Sequence, residues 1–144
     1  MNVFASTVIA APAEKVWTVV RDFIGLTNWS NVVSAAHITN DRAADQVGAV
    51  RQLKIVDGGE FVETLVALSD EDMLLQYDIV DGPIPVTDYI ATMRVYPVTA
   101  NDTAYVTWSA AFDTADDQRD LMRTVVGEQI CAGGLEALKG YLES

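Results

Sequence analysis

Residues 116–142, DDQRDLMRTVVGEQICAGGLEALKGYL, form the one stretch long enough for a single multi-turn helix, and the rest of the chain is organised around it. Apolar residues recur at Leu121, Val125, Ile130, Leu135, Leu138 and Leu142, and no proline interrupts them. At about 1.5 Å per residue such a helix would span roughly 40 Å, longer than any strand the chain can form. It must therefore cross several strands. Thr114 with Asp117 reads as the helix start, and Asp113, Asp116, Asp117 and Asp120 place negative charge where the helix dipole favours it. Gly127, Gly133 and Gly134 weaken the helix, each by about 1 kcal/mol relative to Ala. Either close packing or a bend demands them, or their missing side chains leave room between the helix and what it covers.

With 144 residues, half of them hydrophobic, the chain suits one compact domain over 1–144 with a substantial core. Nine Lys and Arg against 21 Asp and Glu give a net charge of −12, which repels nucleic acid and anionic headgroups. The lone Cys131 excludes an internal disulfide, and no basic segment followed by an apolar one marks an export signal, so a cytoplasmic protein is expected. No apolar run approaches a membrane span, and a soluble protein without stable membrane insertion follows.

Residues 2–10 mix Val3, Phe4, Val8 and Ile9 with Ser6 and Thr7, types that suit a strand. Pro12 ends it and is comfortable in a first helical turn. Val16, Trp17, Val20 and Phe23 follow at helical spacing, which predicts a short helix over 13–23. Gly25 breaks that helix, and 26–29 predict a second helical turn. From Ser34 onward, turn signals at 40–41, 57–59, 69–72, 81–85 and 100–102 separate room for six strands. The short connections predict an antiparallel meander.

Successive strand residues point to opposite faces, so parity shows which side chains face the core. Met73, Leu75, Tyr77 and Ile79 share one face; Tyr89, Ala91, Met93 and Val95 share another; Val106, Trp108, Ala110 and Phe112 a third. The same rule groups Ala49, Arg51, Leu53 and Ile55, sending Arg51 inward. Over 60–68 the set Phe61, Glu63, Leu65 and Ala67 competes with Val62, Thr64, Val66 and Leu68. If the odd set is inside, Glu63 is too, and the turn at 57–59 brings it near Arg51. A buried charge needs a partner, so the two predict an internal ion pair. Such a pair either only neutralises itself and fixes register, or forms the polar end of an apolar pocket that orients a ligand's carbonyl, hydroxyl or carboxylate.

The order strand, two short helices, six-stranded meander and long final helix resembles the START-like, helix-grip (SRPBCC) superfamily, in particular its bacterial polyketide cyclase/dehydrase and lipid-transport branch. The resemblance is carried by Pro12-Ala13-Glu14-Lys15-Val16-Trp17, Arg21-Asp22-Phe23 and Trp29, then Gly48-Ala49-Val50-Arg51 and Glu63-Thr64-Leu65. It continues through Gly82-Pro83-Ile84-Pro85-Val86, Tyr89, Val106-Thr107-Trp108-Ser109 and Gly134-Leu135-Glu136-Ala137-Leu138-Lys139. It implies an α+β helix-grip fold, a curved seven-stranded antiparallel sheet wrapped around the long C-terminal helix, with an apolar cavity between them for a hydrophobic ligand. It does not imply one reaction, because the superfamily includes carriers, sensors and ring-closing or dehydrating enzymes.

One histidine and one cysteine, with no CxxC or HExxH, fall short of the usual metal ligand sets, and no glycine-rich phosphate cradle occurs, so neither metal nor cofactor is expected. Strand parity sends His37 outward. Acid–base chemistry in an apolar pocket would fall to Glu63 beside Arg51, since burial raises a carboxyl pKa and a nearby guanidinium lowers it. Tyr77 and Tyr89 offer hydroxyls on the inward face, unless these find backbone partners. Trp29, Met93, Trp108, Phe112 and Gly133 complete the expected ligand wall. Cys131 reads as a small buried thiol rather than a nucleophile. The function expected first is binding of a hydrophobic or aromatic small molecule. A polyketide cyclase, aromatase or dehydratase is the alternative, and a scaffold with a filled core a third.

Overall fold

A computed structural model describes residues 1–144. β1 (Asn2–Ile9) turns at Pro12 into α1 (Ala13–Val20), and a 3-10 turn follows at Gly25–Asn28. Then come β2 (Val33–Ile38), β3 (Val50–Ile55), β4 (Glu60–Ser69), β5 (Leu74–Asp78), β6 (Thr87–Val98) and β7 (Thr103–Asp113), and helical backbone runs over 116–143. The six expected strands after Ser34 are present. The strands form one seven-stranded antiparallel sheet in the order β1-β7-β6-β5-β4-β3-β2. β2 to β7 are a meander, and β1 pairs with β7, so the first and last strands lie side by side. The architecture is the α+β helix-grip arrangement, with a short helix after β1 and a long helix packed on β1 and β7.

α1 stops at Val20, short of the expected 23, and Gly25 opens the 3-10 turn instead of merely ending a helix. Trp17 Nε1 and Arg21 Nε both donate to Asp70 Oδ1, each at 2.8 Å, which ties α1 to the β4–β5 turn. Those bonds, Trp17's above all, hold the Asp70 carboxyl below its ordinary range. A group with a lowered folded pKa contributes stability above its unfolded pKa and loses it as pH falls through the folded value.

The ambiguous parity of 60–68 has a structural cause. Glu63 pairs with Arg51 and Leu65 with Tyr77, but a register shift between Leu65 and Ala67 sets Leu68 opposite Leu75. Both sets are therefore inward, on different halves of β4. A bulge inserts one unpaired residue, and a period of two changes phase there.

The long helix departs from its expected phase as well. It begins as a 3-10 turn at Asp116–Gln118, is α-helical at Arg119–Met122, π-helical over Arg123–Ala132 and α-helical again at Gly133–Glu143. The N–H of Gly133 reaches the Glu128 carbonyl, the i to i+5 bond of a π-helix. The buried face is Met122, Val126, Cys131, Leu135, Leu138 and Leu142. Its step of five between Val126 and Cys131 is what the π geometry accommodates. An α-helical period phased on Leu121, Val125 and Ile130 is thus wrong by one residue in the first half, where Leu121 is 53% exposed. Leu121→Ser should accordingly change stability by no more than about 0.5 kcal/mol in urea unfolding; a loss several times larger would show that the residue is buried. Thr114 does not cap the helix either, because its hydroxyl donates to the Pro85 carbonyl at 2.7 Å and Ala115 occupies the cap position.

No helix is long and apolar enough to cross a membrane.

Candidate functional site

The sheet's inner face and the long helix enclose a cavity of about 250 Å³ with a predominantly hydrophobic lining. β3 and β4 contribute Arg51, Leu53, Ile55, Phe61 and Glu63; β5 to β7 contribute Tyr77, Tyr89 and Trp108; the helix contributes Ile130, Gly133, Gly134 and Ala137. The exposed members of the lining, Asn31, Val32, Gln129 and Gly133, mark its opening to the surface.

Adjacent strands supply the buried ion pair because Arg51 and Glu63 are direct cross-strand partners. Arg51 donates from Nε to Glu63 Oε1 at 2.9 Å, and its Nη2 makes an ion-pair contact with the same oxygen at 2.7 Å. Its Nη1 donates to the Phe23 carbonyl at 2.6 Å. The guanidinium also lies 3.9 Å from the centre of the Phe23 ring and 4.8 Å from that of Tyr77, a cation–π arrangement that compensates for lost hydration. Arg51 is therefore held on three nitrogens and against two rings. Glu63 is not, since its Oε2 receives no hydrogen bond from the protein. Only Trp29 Nε1 and Arg94 Nε are both sealed from solvent and unpaired, so Glu63 Oε2 reaches the cavity space. Burial pushes the Glu63 carboxyl above its ordinary pKa, with Arg51 pulling against that rise.

The two tyrosines differ. Tyr77 Oη accepts a hydrogen bond from Trp108 Nε1 at 3.1 Å, so a side chain and not the backbone satisfies it. Tyr89 stacks on Phe112 with ring centres 5.5 Å apart, and its hydroxyl has no protein partner. Burial raises both phenols well above their ordinary pKa. Each stays protonated and able to donate.

Trp108 reaches from sheet to helix. A Cβ on Gly134 would collide with its indole ring, so this glycine is required by close packing. Gly133 meets only the Glu128 carbonyl oxygen at 3.4 Å and sits at the exposed opening, and Gly127 lies against Val3. Trp29 meets Trp108 edge to face at 6.3 Å between ring centres.

Of the expected wall residues, the structure gathers Trp29, Tyr77, Tyr89, Trp108 and Gly133 around the cavity with Arg51 and Glu63. Met93 and Phe112 are buried but do not line it. Met93 sits beside Trp108 in the β6–β7 register and Phe112 behind the Tyr89 ring, so both back the wall from the core. Leu53, Ile55 and Phe61 belong to the lining and were legible in the same parity sets as Arg51 and Glu63. The Phe23 carbonyl and Gln129 had no sequence signal. Cys131 is fully buried, with its thiol pushed up to about 12 by burial, which leaves it inert. His37 is exposed.

A family model described as polyketide cyclase / dehydrase and lipid transport matches residues 1–143. The chain has no match among curated proteins. Among solved structures, a Thermobifida fusca protein is 32% identical with a TM-score of 0.86, over 97% of this chain and 92% of that one. A Nitrosospira multiformis protein is 27% identical with a TM-score of 0.85, over 100% of this chain and 97% of that one. A Bacillus thuringiensis protein has the same identity and TM-score and is covered over its full length.

Proposed function

The chain belongs to the polyketide cyclase / dehydrase and lipid transport family, and from that premise we propose that it binds a hydrophobic or aromatic small molecule in the cavity between sheet and long helix. The observation that carries the reading is the cavity itself, an apolar space of about 250 Å³ open at one end, where a filled core would leave none. Its volume lies just below the usual range of ligand sites, roughly 300–1,000 Å³. That suits a compact ring system or a short chain and leaves no room for a diacyl lipid.

An uncharged environment-sensitive dye such as N-phenyl-1-naphthylamine should show blue-shifted emission with the protein and raise its melting temperature as ligand concentration exceeds Kd. Ala137→Trp, which fills the cavity, and Gly133→Trp, which obstructs its opening, should abolish the emission change while the far-ultraviolet dichroism is kept. Undiminished dye binding in both folded variants would rule out this cavity as the site.

One observation favours a second reading. Glu63 Oε2 and the Tyr89 hydroxyl are unpartnered in the same apolar space, a carboxyl with raised pKa and a phenol able to hold a carbonyl oxygen. These are the parts of an acid–base site for cyclising, aromatising or dehydrating a polyketide-like substrate. Arg51 would position Glu63, its guanidinium being bonded to Glu63 Oε1 and the Phe23 carbonyl. Glu63→Gln should then abolish turnover, and unchanged turnover would dispose of the carboxyl's role.

A further inference from the structure

We infer that the cavity selects a neutral ligand bearing a hydroxyl or N–H donor directed at Glu63 Oε2, and discriminates against carboxylates of the same shape. This rests on the reading of the cavity as a ligand site and specifies the chemistry that site accepts.

Arg51 and Glu63 are the only charged residues in the lining. A carboxylate ligand would need the guanidinium, but Arg51 already donates from Nε to Glu63 Oε1 and from Nη1 to the Phe23 carbonyl, and its Nη2 is in ion-pair contact with Glu63 Oε1. The rings of Phe23 and Tyr77 stand over it as well. A second anion would have to share one cation with Glu63 in an apolar space, where like charges repel strongly. The protein's net charge of −12 adds to that repulsion.

Glu63 offers the opposite chemistry. Oε1 takes the Arg51 hydrogen bond and ion-pair contact, and Oε2 takes no hydrogen bond from the protein, so the site presents an acceptor. Tyr89 presents the complementary group, a hydroxyl free of protein partners that can donate to the ligand's oxygen. A ligand hydroxyl both donates and accepts, and so suits the pair. The remaining wall, with Leu53, Ile55, Phe61 and Trp108, offers apolar contact to a planar ring system.

Naphthalene, 2-naphthol and 2-naphthoate share one skeleton and separate these terms. Titrated at about pH 8 and followed by the fluorescence of Trp29 and Trp108, 2-naphthol should bind roughly tenfold or more tighter than either of the others, as expected for a hydrogen bond to a charged acceptor. Glu63→Gln should narrow the gap between naphthol and naphthoate by a similar factor. If that variant does not fold, Tyr89→Phe decides in its place, because it breaks no hydrogen bond within the protein; it should weaken naphthol several-fold and leave naphthalene unchanged. Naphthoate binding as tightly as naphthol, or naphthol no tighter than naphthalene, overturns the inference and leaves the cavity as a general apolar site. Failure of all three to bind overturns the ligand-site reading together with it.

Discussion

Replacing Arg51 by Met should cost about 3–5 kcal/mol of folding stability, because it leaves Glu63 buried without its cation. Both residues are at most 5% exposed, and Phe23 would lose the bond to its carbonyl and the guanidinium over its ring. The loss should depend on pH with a definite sign. Burial already raises the Glu63 pKa and Arg51 opposes that rise, so the variant's carboxyl titrates higher still. A folded pKa above the unfolded one contributes stability below the unfolded value and loses it as pH rises through the folded value. Urea unfolding should therefore show a larger deficit at about pH 8 than at about pH 5. The double substitution Arg51→Met with Glu63→Leu should recover most of the loss, since an apolar pair of similar volume replaces a buried ion pair at little net cost. A double variant no more stable than the single one would mean that Arg51 acts mainly through Phe23 and Tyr77.

Trp108→Ala should be equally damaging, about 3–5 kcal/mol, as expected for emptying a large aromatic site. It removes the indole that reaches the helix at Gly134, the donor to Tyr77 Oη and the edge-to-face partner of Trp29. Gly134→Leu alone should also destabilise, by about 1–3 kcal/mol, because its Cβ enters the space of that indole. Combined, the two should cost less than their sum, the leucine occupying volume the indole has left. A coupling of about 0.5–3 kcal/mol in a double-mutant cycle is the expected result. Strict additivity would mean that Gly134 and Trp108 are not in contact.

The two glycines separate the explanations open at the level of sequence. Close packing accounts for Gly134, which no side chain can replace beneath Trp108. Gly133, one residue earlier, lies at the opening of the cavity, where a side chain would narrow the entrance. Adjacent helical residues point about 100° apart, so neighbouring glycines serve different neighbours.

Much of the site was legible because strand alternation is a local rule. The inward sets containing Tyr77, Tyr89 and Trp108 need only the pleat of a single strand, and burial followed from it at each of these positions. Arg51 and Glu63 were legible as a pair because a short hairpin places them on facing strands. Met93 and Phe112 obey the same alternation and are buried, yet they lie outside the lining, since parity distinguishes sheet faces but not positions along a face.

Two phase shifts lay beyond local reasoning. The bulge between Leu65 and Ala67 is a matter of pairing with β5, and the π-helical turns from Arg123 to Ala132 match the helix's apolar spacing to the sheet beneath. Both make one residue count differently from what a fixed period assigns. The sequence by itself determined the order of elements, the antiparallel meander and the inward faces, because backbone periodicity and turn chemistry act over a few residues. Only the tertiary structure decided that Phe23 completes Arg51's hydrogen bonds, that Trp108 meets Gly134, and that Glu63 Oε2 and the Tyr89 hydroxyl are left unpartnered at one cavity. Those contacts join residues far apart in the chain, and their geometry is set by register and packing across the sheet.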